Sequence, residues 1–162
     1  MIIHVPNKNT LIIDDFKLRC CIGKKGLNSN KKEGDCSTPK GLFNLKKLYF
    51  RKDRIGIPKC KINKKIIKQD MAWCDDPKHK KYNEEIKTSN KNLKETLHRK
   101  DYKYDYLIST SHNEKKTPGK GSAVFIHLTD DYKPTTGCVA LKKKDFEILL
   151  KLIDKKTKIK IG

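Results

Sequence analysis

The sequence has no run of about 18 apolar residues, which excludes a membrane-spanning helix. Its first residues, MIIHVPNKNTLIIDDF, lack a basic segment followed by a long apolar core, so no signal peptide is visible. The six cysteines (Cys20, Cys21, Cys36, Cys60, Cys74 and Cys138) contain no C-x-x-C pair. Metal-ligand spacing is therefore weak; Cys74 with His79 is a thin suggestion of zinc, and most of the thiols are expected to be small buried groups. Aromatic residues are only 7% of the chain, and Arg-rich patches interleaved with aromatics are missing, which argues against a nucleic-acid binder. No internal repeat and no convincing linker break the 162 residues, so 1–162 is expected to be one domain with a core that needs no disulfides.

What the chain has in excess is positive charge. Thirty-nine Lys and Arg against 19 acidic residues give +20, a surface that attracts polyanions such as nucleic acid, anionic lipid or acidic wall polymers. Lys far outnumbers Arg, and Lys, Ile and Asn are abundant together, which an AT-rich genome explains without any polyanionic partner. Apolar residues make up 35%, but they gather in short runs, so the chain reads as globular rather than disordered.

Strand signals dominate those runs. Residues 2–5, Thr10–Ile13 and 17–22 are short, β-branched or alternating, and Asn, Asp and Gly separate them. Residues 23–40 form a long polar loop, and 42–50 resume as a strand. Residues 51–104 look polar and irregular, with a turn at Asp75-Asp76-Pro77 and a short helix over 90–98. Residues 104–109 and 122–128 are expected as central strands. In the latter, Ala123, Phe125 and His127 share one face and Val124, Ile126 and Leu128 the other, both apolar enough for burial on both sides. The spacing of Phe146, Leu149, Leu150 and Ile153 predicts a helix over 144–154, and 156–161 is expected to close the chain as an edge strand. The architecture that fits is mostly β with one packed helix near the C-terminus.

The chemistry lies in Gly121-Ser122-Ala123-Val124-Phe125-Ile126-His127 and, after a short polar loop, Thr135-Thr136-Gly137-Cys138-Val139-Ala140-Leu141. A cysteine nucleophile needs a base within reach and backbone N–H groups for a developing oxyanion. Cys138 supplies the thiol and His127 the base. Gly137 lets the backbone turn tightly, and Thr135 and Thr136 can hold the loop. Pairing with imidazolium is expected to lower the thiol pKa. A buried structural cysteine and a core histidine are the commoner fates of such residues; the short Leu128-to-Gly137 connection, which lets two strands lie side by side, favours the catalytic pair. Asp130 and Asp131 are candidate orienters of the ring, with loop solvation the simpler role. His4, His79, His98 and His112 have no paired nucleophile.

GSAVFIHL…TTGCVAL resembles the active-site signature of the YkuD-type L,D-transpeptidase family. The likeness extends to Arg19-Cys20-Cys21-Ile22-Gly23, Lys32-Glu33-Gly34-Asp35 and Thr38-Pro39-Lys40-Gly41-Leu42-Phe43, then to Trp73-Cys74-Asp75-Asp76-Pro77 with Tyr82-Asn83. The helix and final strand after Asp145 also match, so the resemblance covers nearly the whole chain and its compact branch. It implies a YkuD-like β-sandwich of mixed sheets. It further implies that Cys138 attacks a peptidoglycan stem tetrapeptide after its diamino-acid residue and expels D-alanine. His127 would serve as general base and then acid, with Gly137 on the oxyanion side and the Leu128 carbonyl orienting the ring. No metal or organic cofactor is implied, and neither is nucleic acid. The partners are stem peptides, with a protein amine as a further acceptor, at the cell envelope or periplasm.

Many members read S-H-G-C-[IV]-R around the nucleophile. Here Thr135 and Thr136 hold the first two positions, and Ala140 replaces an arginine that in the family helps hold the donor carboxylate. Ser122, Thr135, Thr136 and Lys120 are the expected substrate-binding residues, Lys120 as a substitute for that arginine. Three readings stay open: transfer to an amine, giving a 3-3 cross-link; the same pair acting as carboxypeptidase, amidase or protein-to-wall ligase; and a non-enzymatic basic module for nucleic acid or wall glycan. In an oxidising compartment, pairs among Cys20, Cys21, Cys36, Cys60 and Cys74 form disulfides, with Cys138 free.

Overall fold

The structure, a computed structural model, describes residues 1–88 and 95–162. In chain order its elements are β1 (Ile2–Asn7), β2 (Thr10–Ile13), β3 (Phe16–Cys21), β4 (Leu27–Asn28), β5 (Thr38–Pro39), β6 (Gly41–Phe50) and α1 (Lys52–Ile55). Then follow β7 (Asn63–Ile66), β8 (Met71–Trp73), β9 (Glu85–Lys87), β10 (Glu95–Thr96), β11 (Tyr106–Thr110), β12 (Phe125–Leu128), β13 (Val139–Leu141), α2 (Lys143–Leu152) and β14 (Lys158–Ile161). The mostly β architecture and the helix near the C-terminus are as the sequence predicts.

Nine strands run β11-β12-β13-β3-β2-β1-β14-β6-β7, and β11 also pairs with β6. Two long strands make this possible. Residues 16–19 of β3 pair with β2 while Cys20 and Cys21 pair with β13. β6 pairs with β14 through residues 41–44 and with β11 through 45–50. Their hydrogen bonds leave opposite edges of β6: Asn44 O accepts from Ser111 N (3.0 Å) on one side, and Leu45 N reaches Thr157 O (3.4 Å) on the other. The two sheets therefore share both long strands and the sandwich is closed at both sides. Pairing is mixed, with β1–β14, β12–β13 and β6–β7 parallel.

Between the sheets lies the main core. Ile3, Val5, Leu11 and Ile13 face Leu48, Phe50, Ile108, Ile126, Leu128, Val139 and Leu141. Phe146, Leu149, Leu150 and Ile153 join it from α2 and the residue after it, and Phe146 stacks on Tyr106 with centroids 5.3 Å apart. Lys142, the N-cap of α2, makes no side-chain cap, and ten residues are too few to hold a helix alone; burial of its apolar stripe, about 2 kcal/mol per large side chain, stabilises it. The opposite face of β6, β11 and β12 carries Tyr49, Leu107 and Phe125. These pack with Cys138, Tyr104, Ile67, Met71 and Leu97 in a second cluster. All of β12 is buried, as a strand apolar on both faces requires.

Four expectations change. β14 is not an edge strand: it sits between β1 and β6, and its alternation of exposed lysine with buried Ile159 and Ile161 marks one covered face rather than an unpaired edge. β12 begins at Phe125 rather than residue 122, because Gly121 (φ 96°) and Ala123 (φ 52°) leave the extended region. Residues 51–104 are not irregular throughout: they hold α1, β7 and the small sheet β10-β8-β9, whose strands of two or three residues are too short for a periodic signal. Of the helix expected over 90–98, residues 90–94 lie outside the described residues. Glu95 and Thr96 are strand, paired with Trp73 and Ala72.

Candidate active site

Parallel pairing of β12 with β13 sets Ile126 opposite Val139 and His127 opposite Ala140. One residue earlier, Cys138 falls beside Phe125, whose N–H points at the sulfur (3.4 Å). Alternation then puts Cys138 and His127 on the same face, diagonal to one another. Gly137 precedes the thiol at φ 150°, and a Cβ there would stand 3.0 Å from Ser37 O and 3.4 Å from Lys31 Nζ. Only glycine lets the Cys138 loop approach that wall. Thr135 organises the loop: its hydroxyl donates to Cys138 O (2.7 Å) and accepts from Gly137 N (3.1 Å), while its backbone pairs with Gly23.

The strap before β12 forms the other wall. The Cys138 thiol donates to Ala123 O at 3.2 Å. Ala123 N donates in turn to Asn83 Oδ1 (3.1 Å), which also takes Trp73 Nε1 (2.9 Å). Asn83 Nδ2 donates to the carbonyls of His112 and Asn113, both at 3.0 Å. All four hydrogen-bonding positions of that amide are thus filled. Tyr82 beside it accepts from Gly121 N (3.1 Å) and donates to Glu33.

His127 Nδ1 is 2.9 Å from Leu128 O. A carbonyl can only accept, so Nδ1 carries the proton and Nε2 keeps its lone pair. The ring lies edge-on to Tyr104, 5.3 Å between centroids. Burial dominates the electrostatics: it pushes the Cys138 thiol up to about 12 and the imidazole down to about 4. The expectation of a thiolate stabilised by imidazolium is therefore corrected: in this closed site both partners rest neutral, because neither charge is solvated. Lys31, a buried cation (7% exposed) that lines a cavity with Cys138, is held by Asp35 at 2.6 Å, and that carboxyl stays well below its usual range through this bond and the amides of Lys32 and Ser37. All six cysteines are free.

A buried thiol beside an oriented imidazole is chemistry many folds share, so the comparison with known proteins decides the family. The model of the L,D-transpeptidase catalytic domain, YkuD, matches residues 1–161. The chain belongs to the YkuD family. Two solved structures of the helical cell shape determining protein Pgp2 from Campylobacter jejuni, one of them a mutant, share its fold. Their TM-scores are 0.55 and 0.53, their identities 18% and 19%. Each alignment covers 99% of this chain and 46% of the Pgp2 chain, so this chain spans about half the length of those proteins. No curated protein sequence matches it.

Within this YkuD domain Cys138 separates two cavities. One, about 310 Å3, is lined by His127, Leu128, Thr129, Ala140 and the cations Arg99, Lys103 and Lys133. The other, about 280 Å3, is lined by Ser122, Ala123, Gly137, Lys31 and the carboxylates of Glu33 and Asp75. Glu95, Tyr104 and Thr136 border both. Of the residues predicted from sequence, Cys138, His127, Gly137, Leu128, Ser122 and Thr136 come together here, and Thr135 supports the loop. Lys120 does not: it is exposed and lines a separate hollow with Lys40, Phe43 and His112. Asp131 caps its own loop, accepting from Lys133 N (2.9 Å), and is no partner of His127. Sequence reasoning missed Tyr104, Arg99 and Lys103, which lie in the stretch read as irregular. It also missed Lys31, whose only signal is the i,i+4 spacing to Asp35.

Proposed function

We propose that this domain is an L,D-transpeptidase: it forms an acyl-enzyme on Cys138 with a peptidoglycan stem tetrapeptide and passes the acyl group to an amine. The observation that carries this reading is the Nδ1–Leu128 hydrogen bond, which leaves His127 Nε2 basic on the face that holds the thiol, in a chain of this family. Substrate entering the His127 cavity draws the S–H from Ala123 O toward Nε2. Sulfur attacks the carbonyl carbon as the proton moves to imidazole, so no free thiolate accumulates. The Cys138 amide is a donor to the oxyanion. The Gly137 amide is held by Thr135 and joins only if that bond is shared. The C–N bond then breaks, the leaving D-alanine nitrogen takes the proton from imidazolium, and the thioester remains. An amine nitrogen attacks the thioester carbon and gives a proton to His127, the C–S bond breaks, and the thiolate recovers the proton.

The cationic cavity suits the carboxylate-bearing donor. Ala140 sits where the family arginine would be, and the charge comes from across the cavity. Arg99 is taken up by Asp101 (2.7 Å) and Lys133 by Asp131 (3.4 Å), which leaves Lys103 as the cation without an ion-pair partner among the described residues. The route calls for no metal or organic cofactor. The same reading carries a cell-envelope location, where the +20 surface meets anionic wall polymer.

The test is intact-protein mass spectrometry after incubation with a disaccharide-tetrapeptide, wild type against Cys138→Ala. An adduct on wild type alone, lighter than the substrate by one D-alanine, supports the acyl-enzyme. Dimeric muropeptides support transfer to an amine, and free tripeptide alone would make the protein a carboxypeptidase. Tetrapeptide consumed equally by Cys138→Ala would overturn the reading.

A further inference from the structure

Lys31 is a buried charge that the acyl-transfer steps leave idle. Its side chain, 7% exposed, runs between Gly121 of the strap and Gly137 of the Cys138 loop. A Cβ on Gly121 would stand 3.0 Å from Lys31 Cγ, and one on Gly137 would stand 3.4 Å from Nζ. The head is fixed as well. Nζ donates to Asp35 Oδ1 at 2.6 Å, and that carboxylate also takes the amides of Lys32 (2.8 Å) and Ser37 (2.9 Å). An ammonium has three N–H bonds, and among the described residues only Asp35 accepts one. Two N–H bonds of a buried cation are therefore unfilled beside the cavity that Lys31 lines with Thr136, Gly137 and Cys138. Glu33, Asp75 and Glu95 border the same cavity, so it is no place for a resting anion. It suits an oxygen that is neutral in the ground state and gains charge only as sulfur attacks. Backbone donors for such an oxygen are few: Thr135 Oγ1 holds the Gly137 amide (3.1 Å), which leaves the Cys138 amide.

We propose that the Lys31 ammonium is the second oxyanion donor of this site. With the scissile carbonyl carbon over Sγ, its oxygen is turned from His127 toward Gly137 and accepts one N–H from Cys138 and one from Lys31. That this carbonyl belongs to a stem peptide rests on the transpeptidase reading; the donor role toward any acyl group on Cys138 does not. The C=O π pair moves onto oxygen as the S–C bond forms and returns when the leaving group departs, and the ammonium keeps its proton throughout. Asp35 aims the ammonium and Gly137 gives it room.

The test compares two reactions of Cys138, resolved by peptide mass, in wild type, Lys31→Met and Lys31→Gln. Acylation by p-nitrophenyl acetate passes through an oxyanion; alkylation by iodoacetamide does not, and both draw on the same thiol. Expected in Lys31→Met is acylation slower by at least about 100-fold and alkylation slower by less than about ten-fold. Lys31→Gln keeps a hydrogen-bond donor for Asp35 without the charge, and serves if the methionine variant does not fold. Its ratio of acylation to alkylation is expected to fall about ten-fold. A ratio unchanged in a folded variant, with both rates intact or both reduced, would overturn the proposal and leave the acyl-enzyme reading standing. Wild-type Cys138 that alkylates but never acylates would overturn both.

Discussion

Cys138 gives its S–H to the Ala123 carbonyl, 3.2 Å away, rather than to His127. The thiol is thereby stored neutral against a strap that is itself pinned, and burial holds its pKa at about 12. Alkylation by iodoacetamide, resolved by peptide mass to Cys138, should therefore rise about ten-fold per pH unit between pH 7 and 9 with no plateau. A plateau below pH 8 would mean that a thiolate–imidazolium pair already exists in the resting enzyme.

Asn83 is the residue that pins the strap. It sits at φ 57°, where Asn is tolerated far better than Ala, and its amide makes four hydrogen bonds. Asn83→Ala leaves the Trp73 and Ala123 N–H groups and two carbonyls without their partner, so a loss of about 3 kcal/mol in urea unfolding is expected. Asn83→Asp keeps the acceptor for Trp73 and Ala123 but sets a carboxylate oxygen against the His112 and Asn113 carbonyls, so it should cost at least as much. A positioning role predicts more than instability. At a temperature where both variants are folded, Asn83→Ala should lose about 100-fold in kcat and change the pH profile of Cys138 alkylation. Equal kcat in the folded variants would reduce Asn83 to a structural part.

Gly137 is confined on two counts, by φ 150° and by the Ser37 carbonyl 3.0 Å from where a Cβ would be. The obstacle is backbone and cannot swing aside. Gly137→Ala should move the Cys138 loop, lower kcat by at least about 100-fold and lower Tm by a few degrees. Ala140→Gly, on the same cavity wall, serves as the control for general softening of β13. Wild-type kcat in Gly137→Ala would show that the loop is not fixed by this approach.

Much of this site is legible from the chain. The alternation through Phe125, Ile126, His127 and Leu128 announces a strand buried on both faces, and the short connection to Cys138 announces the neighbour that brings thiol and base together. The helix over Lys143–Leu152 follows from its apolar stripe. What escapes is long-range and short-run. β8, β9 and β10 are two or three residues each; Met71 and Trp73 of β8 pack with Phe125 and Cys138, and β9 and β10 pair with β8, with no period of their own. The closure of the sandwich depends on β6 bonding from both edges, which no local pattern encodes. The pKa logic failed for a similar reason: adjacency of Cys and His suggests an ion pair, but the degree of burial that decides the protonation state is a property of the assembled walls.

Protonation of His127 offers the last check. Its folded pKa, about 4, lies below the value near 6.5 of an unfolded chain, because the buried imidazolium would lose its water. The neutral ring therefore stabilises the fold fully above pH 6.5. As pH falls from 6.5 to 4 the unfolded chain takes up a proton that the folded one refuses, and that contribution drains away, by about 3 kcal/mol at the lower end. Urea midpoints of wild type and His127→Gln at pH 7.5, 6 and 4.5 isolate it, since the carboxylates titrate in both proteins. The wild-type advantage should shrink steadily with acid and be largest at pH 7.5. A difference independent of pH would mean that the ring titrates as it does in water, and an advantage that grows with acid would mean that the resting site carries an imidazolium.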